Sequence, residues 1–196
     1  MRDDLFTHRT SVGDAATGLS TVRYMTEVST PAMDHDAMVA MWERHTSYEF
    51  ELRDADLTVS TMVPDARVMH LPTMSGASGR DALRDYYAEV FIPAQPLDIA
   101  LEFVARSLGD DVLVDECIMR LTHDREMPHL LPGVPPTGAL LEVPFVVVVK
   151  FRGALMASET LYWDQAQVLG QAGLLSANGV TLPELSEVCG YLRHAH

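Results

Sequence analysis

Cysteine is nearly absent from this chain: Cys117 and Cys189 are the only two. They lie far apart, with neither metal-pair nor redox-pair spacing, so a disulfide-stapled or zinc-ribbon fold is not expected. Basic residues are also scarce, 14 Lys and Arg against 28 Asp and Glu, for a formal net charge of −14. Repulsion from phosphate counts against nucleic acid and anionic membranes as partners. No apolar run is long enough to span a bilayer; LEVPFVVVVKF is of strand length and is cut by Pro144 and Lys150. The opening MRDDLFTHRTSVGDAATG has no signal-peptide apolar core. A nucleophile elbow, a phosphate loop, a dinucleotide fingerprint and paired zinc ligands are all missing. These absences point to a soluble, cytoplasmic protein with reduced thiols. Any catalysis is expected to be acid/base chemistry with no cofactor and no metal.

What is present suits one domain: 196 residues, 47% hydrophobic and 21% charged. Residues 1–30, polar and rich in Gly, Ser and Thr, read as a tail or arm. Residues 31–175 form the domain, and 176–196 a C-terminal extension. A helix is predicted over about 34–50, with acidic Asp34 and Asp36 at its start and Met38, Met41, Trp42, His45 and Tyr48 on one face. DADLTVSTM suggests a second, short helix, DARVMHLP a strand and TMSGASG a loop. Residues 79–91 predict a helix entered through a capping box of Ser78 and Asp81. Two strands joined by GDD follow, then a long loop from 124, the strands LLEVPFVVVVKF and LMASETLYW, and a last helix from Asp164 to near Gly173. That order predicts an α+β fold with a curved antiparallel sheet wrapped around N-terminal helices, a cone whose open mouth is a small-molecule pocket.

Several motifs resemble the SnoaL-like branch of the nuclear transport factor 2-like superfamily. They are GRDALRDYYAEVF, LTHD, GVPPTG, FRGALMASETLYWDQ and VLGQAGLL, in that order, over roughly residues 34–175. The resemblance implies the cone-shaped fold and, commonly, pairing into a homodimer. It names no reaction, because the same scaffold serves polyketide cyclases, dehydratases, isomerases, epoxide hydrolases and non-catalytic binding modules. The YWDQ ending also resembles a subgroup found beside dienelactone-hydrolase-like enzymes.

Three residues are candidate acids or bases. Family cyclases are similar in placing a carboxylate near the end of the last strand, where Asp164 stands; yet Asp164 and Gln167 also have helix-capping spacing. Alternation puts Glu159, Leu161 and Trp163 on one face of that strand and Tyr162 and Asp164 on the other. The apolar company of Glu159 marks its face as the inner one and suits an acid/base role; the competing reading is a salt bridge to Arg106 or Arg120. His70 sits on the first strand before a loop expected to rim the mouth, and suits proton transfer or a hydrogen bond to that loop. Trp42, Tyr48, His123, Tyr162 and Trp163 are candidate substrate contacts, with Tyr48 or Tyr162 as hydrogen-bond donor to a developing oxyanion. A metal site from His70, His123 and His129 lacks compact spacing. Two functions remain open: a cyclase, isomerase or dehydratase acting on a carbonyl-bearing apolar molecule, or a ligand-binding or hydrolase-accessory module.

Overall fold

In the computed structural model of the chain, residues 33–175 and 181–195 are described. The expected N-terminal arm, 1–30, lies outside them. Helix α1 (His35–Phe50) turns Met38, Trp42, His45 and Glu49 inward, a spacing that keeps them on one side of a 3.6-residue helix. Helix α2 (Ala55–Ser60) is capped by Asp54, whose carboxylate accepts from the Leu57 N–H at 2.9 Å. Strand β1 (Met62–His70) follows.

The segment expected as a loop is a strand, β2 (Ser75–Ser78), antiparallel to β1. Gly76 makes the pairing this close, because a Cβ there would collide with the Val68 carbonyl. Pairing also cancels the expected capping box: Ser78 is held opposite Arg67 in the sheet. The N-cap of α3 (Arg80–Tyr86) is instead Gly79, at φ 86°, where a side chain would be strained. A π-helical turn, Tyr87–Phe91, extends α3 and keeps Tyr86, Tyr87 and Phe91 all buried.

Strands β3 (Ala100–Leu108), β4 (Val112–Thr122), β5 (Leu140–Arg152) and β6 (Leu155–Trp163) are joined in sequence as antiparallel neighbours. β1 then pairs in parallel with β6, giving one six-stranded sheet in the order β2-β1-β6-β5-β4-β3. The expected α+β architecture is therefore present: N-terminal helices held against a mostly antiparallel, curved and unclosed sheet. The main core lies between them, around Met38, Leu83, Leu113, Val149 and Met156. A second core under the 124–139 loop gathers Leu121, Met127, Leu130, Leu131, Leu141 and Val168.

Helix α4 (Gln165–Gln171) starts at the predicted place. Asp164 caps it by accepting from the N–H groups of Ala166 and Gln167 at 2.9 and 3.2 Å. Helix α5 (Leu185–His194) lies over β5, with Cys189 fully buried. Arg193 pins it by bridging Glu102 of β3 and Glu142 of β5 at 2.7 and 2.8 Å. Among the described residues, no helix is long and apolar enough to cross a membrane.

Candidate functional site

The concave side of β3–β6 and the inner face of α1 enclose a cavity of about 180 Å³. Apolar cavities of roughly 150 Å³ already admit benzene, so this one takes at least a single-ring ligand. Aromatic and aliphatic groups dominate its wall, among them Trp42, Phe50, Phe91, Phe145, Leu161 and Trp163. Its polar groups fall mostly into three clusters.

The first cluster joins α1 to β6. His45 Nε2 lies 3.1 Å from Glu49 Oε1, one turn along the same helix, and 3.4 Å from Glu159 Oε2. The Tyr87 hydroxyl reaches His45 Nε2 at 3.2 Å and donates towards Glu159 at 3.5 Å. On the far side of the ring, Nδ1 meets Thr61 Oγ1 at 2.6 Å. That hydroxyl already gives its proton to the Thr58 carbonyl. Its oxygen can therefore only accept, which places a proton on Nδ1 and turns Nε2 towards the carboxylates. Burial alone would lower the His45 pKa; Glu49 and then Glu159 overcome it and raise it to about 10. Burial and the Glu49 charge push Glu159 up from the usual carboxylate range, while His45 pulls it back. Burial also lifts Tyr87 well above the ordinary phenol value. Glu49 and Glu159 line the cavity, and His45 supports them from behind.

The second cluster surrounds His70 at the end of β1. Its Nδ1 lies 3.2 Å from the Ser75 carbonyl, which can only accept, so the neutral ring keeps its lone pair on Nε2. Tyr86 OH stands 3.2 Å from the same nitrogen. Burial lowers the His70 pKa, with Glu159 opposing it, so the ring favours its neutral, basic form. The ring also packs against Phe91, His129 and Trp163, with centroids 5.4, 5.4 and 5.9 Å away. His70 is thus bonded to the segment expected as its loop, and it also lines the cavity. Burial, and after it His70, lower His129 well below the ordinary imidazole value.

The third cluster is an ion pair on the wall. Arg106 of β3 holds both oxygens of buried Asp115 at 2.7 and 2.8 Å, and Trp42 Nε1 donates to the same carboxylate at 2.8 Å. Arg106 is therefore not the partner of Glu159, and Arg120 lies by Glu142 instead, at 4.0 Å.

Four of the sequence-predicted residues come together on this cavity: Glu159, His70, Trp42 and Trp163. The other four do not line it. Asp164 is exposed and spends its carboxylate on the α4 cap. Tyr162 is 46% exposed on the outer face of β6. Tyr48 lies a step round α1 from the buried stripe, half-buried. His123 is fully buried but bonded to Thr137 under the long loop. The oxyanion role expected of Tyr48 or Tyr162 therefore has no support in their positions.

Sequence reasoning missed Glu49, Tyr87 and Thr61. It also missed a compact ligand set. The donor atoms of His45, Glu49 and Glu159 all lie within 4.8 Å of one another, a group able to hold a metal ion. The His-x-x-x-Glu spacing on a predicted helix was the available signal.

No protein-family model and no curated protein matches the chain. Solved structures do match it in shape. A protein from Jannaschia sp. CCS1 described as a SnoaL-like polyketide cyclase superposes with a TM-score of 0.59 at 16% identity, covering 77% of this chain and 99% of its own. A ketosteroid isomerase-like fold from Catenulispora acidiphila, in complex with trimethylamine, gives 0.52 at 15% identity over 69% and 93%. The epoxide hydrolase/cyclase-like enzyme SalBIII, with a role in pyran ring formation in salinomycin, gives 0.50 at 15% identity over 67% and 93%. Identities this low establish fold alone: the chain has the nuclear transport factor 2-like fold, in the form shared by SnoaL-like structures.

Proposed function

We propose that the chain is a small-molecule enzyme of the cyclase, isomerase or dehydratase kind, moving a proton next to the carbonyl of a mostly apolar substrate. The observation that carries this reading is the placement of Glu159 and His70 on one apolar wall. β1 and β6 run in parallel with Val68 opposite Glu159 and His70 opposite Leu161, so the two groups sit near each other on neighbouring strands. Both line the cavity. His70 supplies a neutral imidazole with Nε2 free to take a proton. Glu159, backed by His45 and Tyr87, is a second group on the same wall able to take a proton beside the carbonyl. The surrounding aromatic rings lower the dielectric around both groups.

A test uses ring-bearing ketones and lactones with the wild-type chain and a Glu159→Gln, His70→Ala double variant. Turnover by the wild type alone supports the proposal. Equal ligand binding with no turnover by either protein makes the chain a binding module. We further propose a homodimer, formed through the outer face of the sheet that α5 leaves open. Val114, Val146 and Val148 are half-buried there, beside exposed Tyr162.

A further inference from the structure

We propose that His45, Glu49 and Glu159 bind one divalent transition-metal ion on the wall of the cavity. The proposal deepens the functional reading, since it names what occupies the acidic side of that site, and it rests on that reading only for the location of the substrate.

Distances come first. Bonds of about 2.1 Å to nitrogen and oxygen put neighbouring ligand atoms about 3.0 Å apart at right angles and about 3.4 Å apart at tetrahedral angles. His45 Nε2 stands 3.1 Å from Glu49 Oε1 and 3.4 Å from Glu159 Oε2. Two of these donors share a rigid helix at a spacing of four, and the third comes from β6 in the middle of the sheet. All three donor atoms lie within 4.8 Å of one another, so side-chain rotation is what would close them about one ion.

The support behind the ring is of the kind metal-binding histidines have. Their second nitrogen donates to a fixed oxygen, which sets the tautomer and aims the lone pair at the ion. Here Nδ1–H donates to Thr61, whose own proton is held by the Thr58 carbonyl. Charge points the same way. Two carboxylates are buried together, 2% and 5% exposed, and among the described residues their only cationic partner is the His45 ring, whose Nε2 proton the ion would replace. Arg106, on the same wall, is held by Asp115 and Glu43.

One nitrogen and two carboxylate oxygens suit manganese, iron, cobalt, nickel or zinc better than magnesium or calcium, which take oxygen alone. Three protein ligands also leave a coordination position free. Because Glu49 and Glu159 line the cavity, that position opens towards a substrate, where an ion can polarise a carbonyl oxygen.

The test is a titration of chelator-treated full-length protein at neutral pH with Co²⁺, read by visible absorption, followed by displacement with Zn²⁺ read by calorimetry. The expected result is one ion per chain, with binding weakened at least tenfold in Glu49→Gln and in Glu159→Gln and retained in Asp164→Asn. Near-isosteric Gln variants keep the packing, and a circular dichroism spectrum checks that each is folded. Absence of saturable binding by folded wild type up to millimolar Co²⁺ overturns the proposal, as does binding that both Gln variants leave unchanged. No metal binding by a protein that turns over a ketone sinks this inference and leaves the proton-transfer reading standing. Metal binding by a protein inert towards the whole ketone panel does the reverse.

Discussion

Trp42 of α1 donates its indole N–H to Asp115 of β4 at 2.8 Å, a carboxylate that Arg106 also grips with two hydrogen bonds. Through this contact the first helix is fixed to the floor of the sheet by polar as well as apolar means. Asp115 is 2% exposed, so truncating it leaves a guanidinium and an indole N–H without their acceptor. Asp115→Ala is expected to cost about 3–5 kcal/mol, the range for breaking a buried pair from one side. Urea denaturation measures it. A loss under 1 kcal/mol would show that α1 is held by packing alone.

Asp164 should behave as a cap. Asp164→Ala is expected to cost about 0.5–2 kcal/mol and Asp164→Asn much less, because asparagine caps nearly as well. Neither change should alter turnover, since the side chain does not line the cavity. Melting curves and one activity assay decide the matter; an Asp164→Asn protein that folds normally and is inactive contradicts this placement.

Stability should fall as pH drops below the ordinary imidazole range. His129 is held well below the ordinary imidazole value by burial and by His70, and His70 is lowered by burial. Around His129 stand His70, Phe91 and Gln95, with Glu159 acting on His70. Below about pH 6.5 the unfolded chain takes up protons that the folded chain refuses, so unfolding gains. The stabilisation is complete above that pH and is lost as pH falls towards the folded pKa values. Denaturation series between pH 7 and pH 5 should show this slope in wild type and a shallower one in His129→Gln. Equal slopes in the two proteins would show that His129 does not titrate on unfolding.

Much of this was legible in the sequence, and the exceptions have causes. Alternation in LMASETLYW put Glu159 with Leu161 and Trp163 on the inner face, and that is where they are. The same alternation sends Tyr162 and Asp164 outward, so their distance from the cavity follows from the strand itself. β2 escaped notice because SGAS has no β-branched or aromatic residue; it is a strand only through its pairing with β1. The parallel pairing of β1 with β6, which sets His70 near Glu159, is long-range and leaves no local signature. Glu49 was overlooked because an apolar stripe is counted in apolar residues. The helix continues its buried face from Trp42 and His45 to Glu49, and Tyr48 falls to the side. Partners of His45 such as Tyr87 and Thr61 are fixed by packing between elements, which no spacing reveals.

The outer face of the sheet offers a further check. α5 covers part of it through its contacts with β5, with its own Cys189 fully buried, while Val114, Val146 and Val148 of β4 and β5 stay half-buried. Light scattering at micromolar concentration should give twice the chain mass of 21.6 kDa. A Val146→Lys variant should shift that mass to the monomer. A wild-type chain that is already monomeric would mean that α5 has taken the place a second subunit would fill.

Exchange of carbon-bound hydrogen is the reaction to measure. A panel of ring-bearing ketones, each first shown to bind by calorimetry, is incubated with the protein in deuterated buffer and followed by proton nuclear magnetic resonance. Deuterium should enter next to the carbonyl of at least one ketone faster than in buffer. Glu159→Gln and His70→Ala should each slow that exchange by about 10²-fold or more while the ketone still binds. If the ketones bind and none exchanges faster than in buffer alone, Glu159 and His70 do not move protons in this cavity.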